Sequence, residues 1–236
     1  MTDCADQRSK LLESGKEFEV SEARALVSNI IEDCPIDTED RFHNVFFHEI
    51  CPLVVIAEHI GDKQTRLSFT GEKFRFDGLI RFGDELKEKK VELTVAIDGR
   101  NDALQMELMK KRGDAPGFQK IQSSGTKKNR KFGANESRMV SSDNHDRTTF
   151  SLLEDALNLK LWKANTNENY RGAWLGIIFD DWFCPSVDRK KKRFDPICDR
   201  VLEGVAGGDG PFSRVFFIGV SRQYIFDSSE TMGFGN

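Results

Sequence analysis

The sequence lacks most of the short motifs that identify an enzyme on their own. Its four histidines show no HExxH spacing, so the common zinc-protease motif is missing. Ser151 and Ser221 have no GxSxG context, and a serine hydrolase of that type has no support. The glycines at 204–210 follow a predicted helix and lack the lysine of a phosphate-binding loop. Any chemistry must therefore come from residues that the fold brings together.

Cysteine is sparse and shows no pairing pattern. The five cysteines stand at positions 4, 34, 51, 184 and 198, an odd number without a CxxC pair. This spacing argues against a zinc ribbon and against a disulfide framework. We therefore expect buried thiols in a reducing compartment.

Long apolar runs and a secretory leader are also missing. The longest strongly apolar run, 50–57, is far too short to cross a bilayer. The first twenty residues are charged throughout and contain no apolar segment followed by small residues. These absences predict a cytoplasmic protein that does not associate with a membrane.

Charge is unevenly distributed along the chain. The net charge is −4, which by itself predicts no nucleic-acid binding. Residues 110–147 nevertheless hold ten basic residues against four acids, and a second cluster, RKKKR, spans 189–193. Such asymmetry indicates a phosphate-binding surface, although a solvated loop is the competing interpretation. The KKNRK run supplies the candidate nucleic-acid-binding residues Lys127, Lys128, Arg130 and Lys131.

The stretch from 73 to 98 has the alternating pattern of a half-buried antiparallel strand pair. Apolar side chains recur at 74, 76, 80 and 82 and at every second position from 91 to 97. Asp77 and Glu92 then lie on the faces that do not supply the core. If the strands pair so that these carboxylates are neighbours, they predict a shared divalent cation, because hard cations prefer carboxylate oxygens.

The rest of the chain predicts one domain over 1–236. Residues 1–20 are expected to form a loosely held lead-in, 113–149 an irregular basic insertion, and 229–236 a frayed tail. Hydrophobic periodicity predicts five helices, at 21–32, from 37 or 38 to about 52, and at 102–112, 150–164 and 194–207. It also predicts a short strand at 66–69 before the central pair, a buried strand at 173–180, and a strand or hairpin at 213–228.

This order of elements, with Asp on one strand and Glu on the next, resembles the PD-(D/E)XK nuclease superfamily. Phe76-Asp77-Gly78 and Val91-Glu92-Leu93-Thr94 carry the resemblance, which covers 40–112 well and 173–228 loosely. It implies an α/β (α+β) protein with a restriction-endonuclease-like core, whose mixed sheet is built on an antiparallel meander flanked by helices. It also implies Mg²⁺ or Mn²⁺ bound by Asp77, Glu92 and the main-chain carbonyl of Leu93.

The sequence departs from that family at one position. Thr94 stands where the family has a lysine that positions the attacking water and stabilises charge on phosphorus, and threonine cannot supply that cation. Lys90 shares a strand face with Glu92, one side-chain repeat or about 7 Å away, and is the nearest substitute. The candidate catalytic set is therefore Asp77, Glu92, Thr94 and Lys90. The resemblance also suggests an acidic residue on the preceding helix, and Glu49 is the positional match.

The expected function is metal-dependent hydrolysis of phosphodiester bonds in nucleic acid. DNA is the expected partner, the enzyme would be an endonuclease or exonuclease of a bacterial defence or mobile-element system, and a homodimer is compatible with it. The missing lysine favours an alternative, in which a catalytically inactive nuclease fold binds nucleic acid or another protein. The sequence leaves open the choice between DNA and RNA, the sequence specificity, the oligomeric state and the order of residues 113–149.

Overall fold

The computed structural model of the chain describes residues 4–13, 15–34, 41–61, 64–70, 76–83, 87–99, 104, 107–108, 111, 119–126, 129–139, 142–181, 184, 186–203 and 211–231. These residues form an α/β structure with a mixed seven-stranded sheet. Helices cover both faces of this sheet, so each face buries its own apolar side chains.

The N-terminal part of the chain is mainly helical. It contains α1 (Cys4–Leu12), β1 (Glu17–Glu19) and α2 (Val20–Asp33). Next, α3 (Arg41–Val45), a π-helical turn (Phe46–Ile50) and α4 (Cys51–Ile60) follow one another without a break. Pro52 is the second residue of α4, directly after the π-helical turn, and the helix continues past it to Ile60.

An antiparallel meander forms one side of the sheet. Its strands are β2 (Arg66–Phe69), β3 (Gly78–Phe82) and β4 (Lys87–Ala96), and β1 pairs with β2 at the edge. The prediction of a first central strand from residue 73 is too long at its N-terminal end, because β3 begins at Gly78. Phe76 consequently packs in a different cluster from Ile80, although strict alternation places them on one face.

The predicted irregular insertion contains regular structure. Strand β5 (Gln119–Ser124) pairs antiparallel with β6 (Lys131–Met139), and a helix begins at Ser142. The prediction of an irregular segment over 113–149 is therefore wrong for most of its described residues; 113–118, 127–128 and 140–141 lie outside the described ones. Alternation is hard to detect here because polar residues occupy both faces of these strands. Ile121 packs with Leu104 and Leu108, which are helical as predicted.

The second half of the chain completes the sheet. Helix α5 (Ser142–Asn165) leads into β7 (Ala173–Phe179), and α6 (Val187–Glu203) leads into β8 (Phe212–Gly219). β9 (Ile225–Asp227) and α7 (Ser228–Thr231) follow. The strand order is β1-β2-β3-β4-β7-β8-β9, and β4, β7 and β8 are parallel. The strand predicted at 173–180 is confirmed, and of the two alternatives for 213–228, a strand or a hairpin, the structure has the hairpin, with Ser221 in its turn.

Two apolar clusters lie on opposite faces of the sheet. One contains side chains of α1, α2, α4 and alternate residues of the strands, among them Val91 and Leu93. The other contains side chains of α5, α6 and the intervening positions, among them Ala96 and Leu175. None of the described helices has both the length and the hydrophobicity that a bilayer crossing requires.

The lead-in segment is tied into the fold by a covalent bond. Cys4 of α1 and Cys34, which follows α2, form a disulfide, so the expectation that no cysteines pair is wrong for these two. The spacing gives no sign of this bond because thirty residues separate its ends, whereas α1 packs beside α2 in space. Cys51, Cys184 and Cys198 are buried thiols, as expected. Disulfides persist mainly in oxidising compartments, so the cytoplasmic location stays a prediction.

A buried ion pair fixes the ends of β7 and β8. Lys190 of α6 is 2% exposed and donates to Asp181 Oδ2 at 2.6 Å. The other oxygen of Asp181 accepts the backbone N–H of Ser221 at 2.8 Å, in the turn between β8 and β9. Gly219 leaves room for this carboxylate, because a Cβ there would lie 2.2 Å from Asp181 Oδ2.

We expect Asp181→Ala to lower the free energy of unfolding by about 3 to 5 kcal/mol, because it leaves the Lys190 ammonium buried without a counter-charge. Urea unfolding followed by circular dichroism measures this change. Asp188→Ala on the exposed first turn of α6 is the matched control and should change stability by less than about 0.5 kcal/mol. An equal effect of both changes would contradict a structural role for the pair.

We expect Cys4→Ser to lower the free energy of unfolding by roughly 3 to 4 kcal/mol, because the disulfide closes a thirty-residue loop in the unfolded chain. Unfolding of the wild type with and without a thiol reductant gives the same comparison without a substitution. The Cys4→Ser variant should not respond to the reductant. A variant that still loses stability on reduction would show that another thiol is responsible.

Candidate metal-binding and catalytic site

Asp77 and Glu92 are cross-strand neighbours. Gly78 pairs with Val91 in the β3–β4 ladder, and the N–H of Asp77 donates to the carbonyl of Val91 at 3.1 Å. This bond is one residue out of the register that pairs Gly78 with Val91, so Asp77 lies just before the regular ladder, and its carboxylate is close enough to Glu92 for its charge to act on that group. The Asp77 carboxylate is further fixed because its Oδ2 accepts the N–H of Leu93 at 2.6 Å. The two acids are therefore near neighbours, whereas their binding of a shared cation stays a prediction.

A lysine from a helix completes the site. Lys160 of α5 donates to Glu92 Oε1 and also to the main-chain carbonyl of Leu93, the latter at 3.2 Å. Both side chains of the ion pair are largely buried, with 11% of Lys160 and 10% of Glu92 exposed. A lysine 68 positions away in the sequence thus contacts the Glu92 carboxylate.

Burial sets the electrostatics of the two acids. It raises the pKa of Asp77, although the N–H of Leu93 and the charge of Lys160 partly offset this. Burial also raises the pKa of Glu92, where Lys160 acts in the opposite direction and the negative charge of Asp77 adds to the increase. Burial and mutual repulsion destabilise the ionised forms of these two carboxylates, and a cation bound between them would offset that destabilisation.

The donor chemistry fits a divalent ion. Among the described residues, each carboxylate makes its hydrogen bonds through one oxygen, Asp77 Oδ2 and Glu92 Oε1. Asp77 Oδ1 and Glu92 Oε2 are thus available as hard oxygen ligands of the kind that Mg²⁺ and Mn²⁺ prefer. Lys160 contacts Glu92 and the Leu93 carbonyl, which are two of the three ligands implied by the family resemblance.

Asp77 also lines a small cavity beside the helical segment that precedes β2. The cavity measures about 20 Å³, room for roughly one water molecule, and Glu49 is among its lining residues. Glu49 lies in the π-helical turn between α3 and α4, a kind of turn that is often found at functional sites. Gly78 permits a close approach of helix and strand, since a Cβ there would lie 2.3 Å from Leu53 Cδ2.

The remaining predicted catalytic residues do not pair with the two acids. Thr94 lies two positions after Glu92 on β4, opposite Ile177 of β7. Lys90 is exposed, and its Nζ lies 5.1 Å from the centroid of the Phe76 ring. The structure thus places Lys160, and not Lys90, on the Glu92 carboxylate.

The predicted nucleic-acid-binding residues are only partly described. Lys127 and Lys128 lie outside the described residues, and Arg130 and Lys131 lie where β6 begins. Arg130 pairs with Glu107, so much of its charge is balanced within the protein. Lys131 is exposed.

A second group of possible metal ligands lies at the β9 edge of the sheet. His59, Asp227 and Glu230 place one ligand atom each within 4.8 Å of the others. Arg214 occupies both oxygens of Asp227, and Ser229 donates to one of them. Although burial raises it, these donors and His59 hold the pKa of Asp227 below its usual range. We interpret this group as an internal ion-pair network that secures β9, because Arg214 already supplies the positive charge.

Comparison with protein-family models, with curated proteins and with solved structures finds no match in any of the three. The family resemblance therefore stays a prediction from the sequence around Asp77 and Glu92.

The role of Lys160 is not evident from any sequence motif, although a signal is present. On α5, Leu153, Leu157 and Ala164 are buried, and their spacing places position 160 on the same helical face. A lysine on the buried face of an amphipathic helix needs a counter-charge, because an unpaired buried ammonium is costly. Only the packing of α5 on the sheet shows which carboxylate supplies it.

We expect Asp77→Asn to be as stable as the wild type at acid pH and more stable near neutral pH. The pKa of Asp77 is raised in the folded protein, so its protonated carboxyl favours folding. This contribution to the free energy of unfolding is fully present below the unfolded-state pKa and is lost as pH rises through the folded-state pKa. Asparagine retains the acceptor for Leu93 N–H without the charge. Urea unfolding across this pH range tests the expectation, and Asp155→Asn, an exposed site on α5, should show no such trend. A stability difference that is the same at every pH would contradict it.

Proposed function

We propose that this chain hydrolyses phosphodiester bonds in nucleic acid with the help of a divalent metal ion. The observation that carries the proposal is the contact of Lys160 with Glu92 and the Leu93 carbonyl. This contact brings the Lys160 ammonium to the two neighbouring carboxylates. Strand β4 supplies no such cation itself, because Thr94 stands where the family has a lysine. The order of elements supports the same proposal, since an antiparallel β2-β3-β4 meander is followed by a helix and a parallel strand.

In the proposed site, Asp77 and Glu92 act as ligands through the oxygens that make no hydrogen bond to described residues. A divalent ion bound there would lower the pKa of a coordinated water and offset negative charge on the phosphate. Asp77 is held in place by Leu93 N–H, so its orientation does not depend on the ion. This preorganisation reduces the cost of forming the site.

Lys160 supplies the positive charge that Thr94 cannot. Its ammonium has three donors, and two of them are directed to Glu92 and the Leu93 carbonyl. The third is available for a phosphate oxygen or for the attacking water, where it would stabilise charge that develops in the transition state. Lys90 is a weaker candidate for this role because its ammonium lies over Phe76.

The inactive alternative depends on the missing lysine. Because Lys160 brings a cation to the acids, we favour the catalytic function. A catalytically inactive nuclease fold that binds nucleic acid is the second outcome of the experiment below.

We expect Asp77→Asn and Glu92→Gln each to abolish Mg²⁺- or Mn²⁺-dependent cleavage of DNA or RNA and to weaken metal binding in calorimetric titrations. Lys160→Met should retain metal binding but lower the cleavage rate by roughly 10² to 10³, because it removes one group that stabilises developing charge. Lys10→Met on α1, where the lysine pairs with Glu22, is the matched control and should cleave like the wild type.

The two readouts separate the alternatives. Metal binding that Asp77→Asn and Glu92→Gln do not change would exclude the proposed ligands. Metal-independent nucleic-acid binding without any cleavage by the wild type would support the inactive alternative. Circular dichroism of each variant establishes that the fold is retained.

A further inference from the structure

Two lysines near the acids have no carboxylate partner among the described residues. Several other described cations are paired: Arg81 contacts Glu17 and Glu88, Lys10 contacts Glu22, and Arg193 contacts Asp146. Lys90 and Lys163 are exposed and are not part of such a pair. Their charges are therefore available to an anion that approaches the candidate site.

Lys163 lies on α5 almost one turn after Lys160. Residues three apart on a helix share a face and are separated by about 4.5 Å along the axis. Lys163 is close enough to Glu92 for its charge to act on that carboxylate, yet its side chain remains exposed. It therefore borders the site from the helix side.

Lys90 borders the same site from the strand side. It shares a face of β4 with Glu92, about 7 Å away along the strand. Its ammonium lies over the ring of Phe76, which in turn packs edge-on against Tyr170, with 5.4 Å between ring centroids. This aromatic support limits the positions that the Lys90 side chain adopts while its charge stays accessible.

We propose that Lys90 and Lys163 together bind a backbone phosphate near the one that is cleaved. The inference rests on the proposed function and specifies its substrate as a polynucleotide strand. Phosphates recur along each strand, about 3.4 Å of helix axis apart in B-form DNA, so a strand held at Lys160 brings a neighbouring phosphate towards lysines that lie within about 7 Å of Glu92. Lys160 then serves the reacting phosphate, whereas Lys90 and Lys163 hold the strand beside it.

The first experiment compares substrates with and without a neighbouring phosphate. We expect the double variant Lys90→Gln/Lys163→Gln to lower kcat/KM for a short DNA duplex roughly tenfold more than for bis(p-nitrophenyl) phosphate, which has no second phosphate. The additional decrease on the duplex should arise mainly from an increase in KM. Lys160→Met should lower the rate on both substrates to the same extent.

The second experiment measures binding and does not require cleavage. With the duplex and the Glu92→Gln protein, we expect Lys90→Gln/Lys163→Gln to reduce the slope of log affinity against log salt by about 0.9 for each phosphate that the protein no longer neutralises. Lys10→Gln/Lys16→Gln removes the same charge from α1 and the following turn, where both lysines pair with glutamates, and should leave the slope unchanged.

The outcomes distinguish this inference from the proposed function. Equal slopes for the two double variants, or equal decreases in kcat/KM on both substrates, would overturn the two-lysine phosphate site. If no substrate is cleaved but the slope falls only for Lys90→Gln/Lys163→Gln, the proposed function fails and the phosphate-binding site stands.

Discussion

The ion pair between Lys160 and Glu92 is the interaction on which the candidate site depends. It joins helix α5 to strand β4, and the same ammonium reaches the Leu93 carbonyl. The Leu93 N–H in turn fixes Asp77, so one short segment of β4 connects both acids and the lysine. A largely buried pair of this kind is seldom a source of net stability, because desolvation of both charges offsets their attraction.

The fold places this site where two kinds of strand pairing meet. β4 pairs antiparallel with β3 on one side and parallel with β7 on the other. The short β3 begins at Gly78, which leaves Asp77 just before the strand with a carboxylate that can turn towards Leu93. A parallel pair such as β4 and β7 needs a crossover connection, and α5 within that connection carries Lys160 over Glu92. The arrangement of acids and lysine thus follows from the topology of three neighbouring strands.

The central strands could be predicted from the sequence, because alternation with period two indicates which residues share a strand face. The position of Asp77 beside Glu92 depends in addition on the start of β3, where Asp77 precedes the strand and its carboxylate accepts the N–H of Leu93. The lysine could not be assigned, since its partner lies 68 positions away and depends on how α5 packs. The β5–β6 hairpin escaped prediction because its strands are polar on both faces and carry little hydrophobic pattern. The Cys4–Cys34 bond also depends on helix packing, which cysteine spacing does not encode. Local sequence patterns are sufficient to predict the central strands, whereas the positions of the site residues depend on the packing of elements that are distant in the sequence.

The large sheet ends on both sides in a strand of only three residues, β1 and β9. An exposed sheet edge offers unpaired N–H and C=O groups to any other chain, and short edge strands limit this hazard. β1 lies inside the loop that the Cys4–Cys34 disulfide closes, and β9 is held by the Asp227 network. Loss of the covalent loop would therefore do more than loosen α1. It would weaken the cover over β2 and expose a longer edge, so a reduced sample would tend towards edge-to-edge association between copies of the chain.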